Sequence, residues 1–329
     1  MFIFAKLFKS DLDATSPEAK SKQRIIEKVL EKDGKRMKLP ANFDVRFRRE
    51  KDSGRLSAGG PARTEDIKKL AEDFAVDDLM LKFSRITVEG VSALYSEPLT
   101  RLSLFKPELT DGALKAISQL KNLEYLEIKS TDSINDKTIQ DLTGPDKLLD
   151  LRITHTNLGD RGITHLAKTF PNLESITLQR NPKINGEGFE SFSNLQRLKK
   201  LELEDQKLGR AAFENLAKIK SLKHLELRDT GVVDEDTKYL ARMNLKFLDL
   251  SKNNLTDTAL KNLETSKSLQ SLLMIKCRSL TDNGIKRFAR TNKKCTLYLK
   301  KKKKKSKNSS TKLDFVNILL SPKEERDRK

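Results

Sequence analysis

Leucine and isoleucine recur along the chain in a Leu-x-x-Leu-x-Leu pattern, seen most clearly at Leu222, Leu225 and Leu227. From about residue 79 onward the last position of each unit returns every 23 to 25 residues, at Leu81, Leu104, Ile128, Ile153, Leu178, Leu203, Leu227, Leu250, Met274 and Leu299. Apolar residues at alternate positions predict a short strand with one buried face. The spacing therefore predicts ten structural repeats, each containing a strand.

The second half of each unit predicts a helix. It reads as an apolar residue, a small polar residue and then an aspartate, and we expect the aspartates to cap helix N-termini at Asp111, Asp136, Asp160, Asp234, Asp257 and Asp282. Apolar residues then follow at helical spacing, as at Leu114, Ile117 and Leu120. Neighbouring strands lie about 4.8 Å apart whereas packed helices need about 8–10 Å, so the stack must curve with its strands on the concave side.

With these units the chain resembles the leucine-rich-repeat family over residues 79–299. The apolar-Thr-Asp-x-Gly-apolar turn, as at Leu280–Ile285, is similar to that of F-box-type and bacterial leucine-rich-repeat proteins. The resemblance implies an α/β solenoid shaped like a horseshoe, with parallel strands on the concave face, helices on the convex face and a role in protein recognition. It also implies a ladder of buried residues after the strands, at Ser84, Pro107, Thr131, Thr156, Asn181, Gln206, Thr230, Asn253 and Cys277.

Four regions follow from this pattern. Residues 1–62 form a small, basic and partly ordered N-terminal region, and residues 63–78 form a helix, capped by Thr64, that covers the first repeat. Residues 79–299 form the solenoid of about ten coils. Residues 300–329 form a flexible lysine-rich tail with a short C-terminal helix, whose apolar segment 313–320 either folds back as a cap or binds a partner.

The formal net charge of +19 is concentrated at the two ends of the chain. Residues 1–70 carry 18 basic and 11 acidic residues, and residues 293–329 carry 14 and 4, so these ends contribute +7 and +10. The central 222 residues carry 34 basic and 32 acidic residues and contribute only +2. The basic character therefore belongs to the termini, which disfavours nucleic acid as the main ligand of the repeats.

No catalytic signature is present, since the chain has no phosphate-binding loop, nucleophile elbow or zinc-protease motif. The histidines at positions 155, 165 and 224 are scattered over different repeats or faces. Cys277 falls in the ladder and predicts a structural thiol, whereas Lys293 and Lys294 favour a lowered pKa at Cys295 without supplying a base. We expect no enzyme activity, no cofactor and no metal site.

The strand positions between the inward leucines point into the concave groove, where we expect a partner to bind. The expected contact residues are Arg101, Phe105, Tyr125, Arg152, Lys200, Glu202, Glu204, His224, Glu226, Arg228, Phe247 and Asp249. Acidic residues dominate the later repeats and basic residues the earlier ones. Aromatic residues among charges are typical of interfaces, so this pattern favours binding of a protein with a basic segment.

The lysine run after the last predicted strand is the second candidate site. Lys300, Lys301, Lys302, Lys303, Lys304, Lys305 and Lys307 are suited to nuclear import, nucleic-acid phosphates or an anionic lipid surface, or serve only as a solubilising tail. In a further alternative, this run occupies the chain's own acidic groove. None of these uses follows from the run alone.

The function that these patterns favour is a non-enzymatic scaffold that binds a protein through its concave face. The alternatives are an electrostatic adaptor that binds nucleic acid or anionic membrane through the tail, and a substrate-recognition subunit of a ubiquitin ligase. No apolar run reaches the length of a membrane span or a signal-peptide core. We expect an intracellular monomer, in the cytoplasm rather than the nucleus.

Overall fold

The computed structural model describes residues 47–49, 55–58, 60–300 and 315–318 of the 329-residue chain. Its strands are β1 Phe47–Arg49, β2 Leu56–Ala58, β3 Asp78–Lys82, β4 Arg85–Ile86, β5 Arg101–Phe105, β6 Glu108–Leu109, β7 Tyr125–Asn135, β8 Asp150–Asn157, β9 Ser175–Gln179, β10 Lys200–Glu204, β11 His224–Arg228, β12 Phe247–Asp249, β13 Ser271–Leu273, β14 Thr296–Lys300 and β15 Phe315–Ile318. All but β4 and β6 belong to one continuous sheet, in which each strand pairs with the next.

Helices connect most of the successive strands. They are α1 Thr64–Asp73, α2 Val88–Ser92, α3 Ala113–Ile117, α4 Asp160–Thr169, α5 Arg210–Leu216, α6 Thr237–Ala241, α7 Asp257–Leu263 and α8 Asp282–Thr291, with short 3-10 helices at Thr138–Asp141 and Glu187–Asn194. The strands from β2 to β14 run parallel within the large sheet. The predicted leucine-rich-repeat solenoid, with a strand in each of the ten predicted repeats, is confirmed.

Both edges of the sheet extend beyond the predicted repeats. Leu56 and Ser57 of β2 pair with β3, so a parallel strand precedes residue 79, and antiparallel β1 closes that edge. Helix α1 therefore lies between two parallel strands, and its N-cap is Arg63 rather than Thr64. At the other edge, β15 pairs antiparallel with β14. The expectation of a C-terminal helix is wrong at residues 315–318, because the sheet edge offers unpaired backbone groups that favour a strand there.

The core lies between the sheet and the helices, where the repeated leucines and isoleucines are almost fully buried. The ladder residue Asn253 accepts hydrogen bonds at its Oδ1 from the N–H groups of Thr230, Gly231 and Val232, at 3.1, 3.0 and 3.2 Å. Its Nδ2 donates to the carbonyls of Leu227 and Leu250, at 2.7 and 3.0 Å. The ladder thus satisfies buried backbone groups of two neighbouring coils.

The expectation that aspartates cap their own helices is wrong at all six positions, because the N-caps there are Gly112, Lys137, Gly159, Asp236, Thr256 and Thr281. Asp160 is instead the first residue of α4. Its carboxylate accepts hydrogen bonds from the backbone N–H groups of Asn185, Gly186 and Gly188, at 2.8, 3.0 and 2.9 Å, and so ties its coil to the next one. Bonds of the same kind between coils are made by Asp136, Asp234 and Asp257.

A left-handed residue recurs at the same position of successive coils, inside the strand in β7 and β8 and after the strand in the other coils. These positions have φ between 48° and 65° and are Phe83, Lys106, Ser130, His155, Arg180, Asp205, Asp229, Lys252 and Lys276. Each directly precedes a ladder residue. The αL conformation costs an ordinary side chain about 1 kcal/mol, so the coil geometry must impose it. Strict alternation would point this position into the core, but at Phe83, Lys106 and Lys276 the side chain remains at least partly exposed.

Candidate functional site

The strand register brings the expected contact residues into three columns on the concave face, the surface that we call the groove. Lys200, His224 and Phe247 align across neighbouring strands, as do Glu202, Glu226 and Asp249. In earlier coils the first column contains Arg101 and Tyr125, and the second contains Glu127 and Arg152. The third column contains Phe105 and Lys129. The sequence alternation therefore placed all twelve residues on the correct face of the sheet.

Tyr125 lies at the centre of a stack in the early coils. The guanidinium of Arg101 lies 3.8 Å from the Tyr125 ring centroid and that of Arg152 lies 5.3 Å from it. The phenol donates a hydrogen bond to Glu127, and burial raises the pKa of Tyr125 to about 12. Only 5% of Tyr125 is exposed. The expectation that Tyr125 is a contact residue is therefore wrong, because its neighbours cover the ring.

The acidic half of the groove is neutralised by the chain's own cations. Asp249 is completely buried and accepts a 2.8 Å hydrogen bond from Nη2 of Arg228. Arg228 also lies within ion-pair distance of Glu204 and Glu226. The expectation that Asp249 contacts a partner is wrong, since its carboxylate serves as an internal counter-ion instead.

Glu202, His224 and Glu226 form the group among the described residues whose spacing suits a metal ion. His224 Nε2 lies 2.8 Å from Glu226, and its ring stacks on Phe247 with the centroids 4.0 Å apart. Although burial opposes it, the Lys200 ammonium lowers the pKa of Glu202. Each carboxylate thus has a protein cation or imidazole as its partner, and the three residues form part of a charge network.

The early coils carry a different surface, which we call the Lys/Phe cluster: Lys82, Phe83, Phe105, Lys106 and Lys129. The Phe83 and Phe105 rings meet edge to face, with centroids 5.5 Å apart. The Lys106 ammonium lies 5.5 Å from the Phe83 centroid and 5.9 Å from that of Phe105, and the Lys129 ammonium also lies 5.9 Å from Phe105. Phe83 is 53% exposed. Phe83 lies in an αL turn after the strand, so strand alternation does not predict its exposure.

Within the described residues, none of the three lysines of the Lys/Phe cluster forms an ion pair with a carboxylate, unlike the cations of the acidic half. A cavity of about 430 Å³ adjoins the cluster and is lined by Phe105, Lys129, Ser130, His155, Gln179, Arg180 and Glu204. Burial and the cations of Arg180 and Lys129 lower the pKa of His155. This end of the groove therefore combines uncompensated positive charge with exposed aromatic surface.

A second cavity, of about 370 Å³, lies at the other end of the groove. Its walls are mostly apolar and are formed by Phe247, Ser271, Leu273, Ile275 and Tyr298. Sequence analysis placed Phe247 on this face but did not group it with Leu273, Ile275 and Tyr298 as a joint apolar surface. Leu273 and Ile275 alternate along β13 and just after it, and this alternation is the sequence signal that indicates the apolar surface.

One segment of the chain matches a known repeat family. The family model described as "Leucine Rich repeat" matches residues 243–263, which contain β12 and α7. The same strand and turn recur through the sheet. The chain thus contains leucine-rich repeats and folds as the solenoid that such repeats build.

Solved structures similar to this leucine-rich-repeat protein include a TLR13–ssRNA13 complex, with 22% identity, 63% of this chain covered and a TM-score of 0.48. The chain spans 30% of the length of that protein. An internalin, InlF, from Listeria monocytogenes str. 4b F2365 shares 17% identity over 86% of this chain and 95% of its own, with a TM-score of 0.47. A search of curated proteins finds no match.

The two cysteines of the leucine-rich-repeat protein are free, and burial raises the pKa of each thiol to about 11. The Cys277 thiol lies 3.4 Å from the carbonyl oxygen of Leu250. The lowered pKa expected at Cys295 is contradicted, because burial of the thiol raises its pKa. Among the described helices, none is both long enough and apolar enough to span a bilayer. Residues 301–307 of the lysine run lie outside the described residues.

Proposed function

We propose that this leucine-rich-repeat protein is a non-enzymatic scaffold that binds a partner protein along its groove. The observation that carries the proposal is the uncovered apolar surface on the concave face of the sheet. Phe83 is 53% exposed, and Phe247, Leu273, Ile275 and Tyr298 line an open cavity. Exposed aromatic and aliphatic side chains among charged ones are the residues that anchor protein interfaces.

The rest of the face suits a preformed binding surface. Parallel strands fix the backbone, and the network around Arg228 holds Glu204, Glu226 and Asp249 in place. A rigid surface loses little conformational entropy on binding, which favours affinity. The buried Tyr125 and Asp249 act in this proposal as supports for neighbouring arginines, and the contacts come from the more exposed residues.

A photo-cross-linker at Gln179 tests the proposal, because this residue lines the groove cavity that adjoins the Lys/Phe cluster. The full chain with p-benzoylphenylalanine at this position is irradiated in a lysate of cells that express it. The matched control carries the cross-linker at Lys168, an exposed residue of α4 on the helical side of the preceding connection. We expect a discrete protein adduct from position 179 and none from 168.

Two results contradict the proposal. One is an adduct formed from position 168 but not from position 179, which would move recognition to the helices. The other is the lack of any protein adduct at position 179, with the chain folded as judged by circular dichroism.

A further inference from the structure

The charge of the groove changes along its length, and this change restricts what can bind there. In the repeats of β3, β5, β7 and β8, the three outward positions of the strand register and the αL residue that follows them carry five basic and three acidic side chains. The corresponding positions from β9 to β12 carry four basic and six acidic ones. A uniformly charged polymer would meet attraction at one end of the groove and repulsion at the other.

The two ends also differ in how much of their charge is already compensated. In the acidic half, Glu202 pairs with Lys200, Asp205 with Arg180, and Asp249 with Arg228. The cations of the Lys/Phe cluster have no carboxylate partner among the described residues. An incoming anion at this cluster would therefore gain an ion pair without breaking one, which makes the cluster the preferred point of attachment.

Charged and aromatic side chains alternate in the Lys/Phe cluster, both along the chain and across the sheet. Along β3 and β5, Lys82 precedes Phe83 and Phe105 precedes Lys106; across the sheet, Lys82 aligns with Phe105 and Phe105 with Lys129. The three coils cover about 10 Å, because neighbouring strands lie about 4.8 Å apart. An extended peptide of three to four residues covers that distance, at about 3.3 Å per residue.

We propose that the Lys/Phe cluster is the docking site for a short acidic segment of a partner protein, with an apolar side chain held between Phe83 and Phe105. Carboxylates of the segment would pair with Lys82, Lys106 and Lys129, and the rest of the partner would continue towards the acidic half of the groove. This inference rests on the proposed function, since it names the chemistry of the partner at one end of the same groove.

Single-stranded nucleic acid is the competing ligand, because lysines and aromatic rings also hold phosphates and bases. The observations favour a peptide on two grounds. The cluster is about 10 Å long, which accommodates only one or two nucleotides. Beyond the cluster, cations of the groove such as Arg180 and Arg228 are already paired with Asp205 and Asp249, so a phosphate backbone that continued along the groove would have to break an ion pair for each contact with them.

Selection from a random dodecapeptide phage library on the full chain tests the proposal, followed by fluorescence polarisation with the enriched peptide. We expect enriched sequences with clustered Asp and Glu beside an apolar residue. The double variant Lys106→Glu and Lys129→Glu should weaken binding at least about tenfold, and Phe83→Ala should weaken it by a smaller factor. Both changes lie at the surface of the groove, and circular dichroism verifies that each variant is folded.

Two controls separate the Lys/Phe cluster from other basic surfaces. Lys115→Glu with Lys121→Glu makes the same change in net charge at exposed positions between β5 and β7, outside the groove, and should leave affinity unchanged. Replacement of the five lysines at positions 301–305 by serine removes most of the lysine run and should also leave the affinity unchanged. The proposal is overturned if the peptide loses affinity when the lysine run is replaced but keeps it in the variant Lys106→Glu with Lys129→Glu.

A decauridylate RNA in the same assay gives the remaining outcomes. If this RNA binds more tightly than the peptide and depends on Lys106 and Lys129, the cluster is a nucleic-acid site and the proposal is wrong. Enrichment of basic or uncharged peptides, or of none, also overturns it. A cross-linked partner at Gln179 together with any of these results would leave the groove function standing and reject only the acidic segment.

Discussion

Substitution of Asn253 by leucine tests the structural role of the ladder most directly. Leucine has the same number and branching of side-chain heavy atoms as asparagine and is larger, so the change removes hydrogen bonds without opening a cavity. The native side chain is 4% exposed and makes five hydrogen bonds of 3.2 Å or less to backbone groups. Four of them are fully buried; the one to Gly231 is partly exposed.

The expected magnitude follows from those four buried bonds. A hydrogen bond contributes about 1 kcal/mol net, and a buried group left without a partner costs about 1–3 kcal/mol. Four such groups at about 1.5 kcal/mol each cost about 6 kcal/mol, and burial of the leucine side chain offsets about 2 kcal/mol of that loss. We therefore expect Asn253→Leu to lower the free energy of unfolding by about 4 kcal/mol, a large share of the 5–15 kcal/mol typical of folded domains.

Urea denaturation followed by circular dichroism measures the change in unfolding free energy. Hydrogen exchange measured by mass spectrometry then locates it, and the amides of Thr230 to Val232 should exchange much faster in the variant. Asn254→Ala is the matched control, because Asn254 is the next residue and is exposed. This control should stay within about 0.5 kcal/mol of the native chain.

A loss below about 1 kcal/mol for Asn253→Leu would refute the reasoning. It would mean that the N–H and carbonyl groups of the two coils find other partners, by a backbone shift or by water. The ladder would then be a consequence of the coil geometry and not a source of its stability.

Three further predictions concern the other buried polar groups. Asp160→Asn should lower the unfolding free energy by about 2 kcal/mol in urea denaturation, since the amide lacks one acceptor oxygen and the charge; an unchanged midpoint would contradict the link between coils. Arg228→Ala should lower the unfolding free energy by about 3 kcal/mol, because it leaves the Asp249 carboxylate buried without a cation. In a double-mutant cycle, adding Asp249→Asn to Arg228→Ala should restore part of that loss. At pH 8 the native thiols of Cys277 and Cys295 should react with a disulfide reagent about a hundredfold more slowly than in urea, because their raised pKa keeps them protonated. The reaction should become faster as the pH rises towards 11 and the thiols lose their protons. Equal rates in the native and urea-unfolded chain would contradict their burial.

Local rules accounted for some features of the groove and failed at others. Alternation along a strand placed Glu202 and Glu226 on the concave face, because side chains of an extended backbone point to opposite sides in turn. It failed at Phe83, where φ is 54° and the alternation ends. A residue in an αL turn leaves the strand pattern, and no local rule announces the turn when the residue is not glycine.

Charge patterns were the least reliable guide to the site. Asp249 looked like a groove contact because its column is outward, yet Arg228 from the preceding strand covers it completely. Asp160 looked like a cap for its own helix, yet its carboxylate bonds the backbone of the following coil. In both cases the partner lies more than 20 residues away along the chain, so local sequence contains no sign of it.

The sequence by itself determined the solenoid, the direction of its strands and the positions of its buried ladder. A repeat of about 24 residues cannot bury its leucines alone, and stacking of like units is the arrangement that covers them all. Only the tertiary structure decided which charges remain free. Pairing depends on distances between coils, and these bring Arg228 to Asp249 and Arg180 to Asp205 while leaving Lys106 and Lys129 beside aromatic rings.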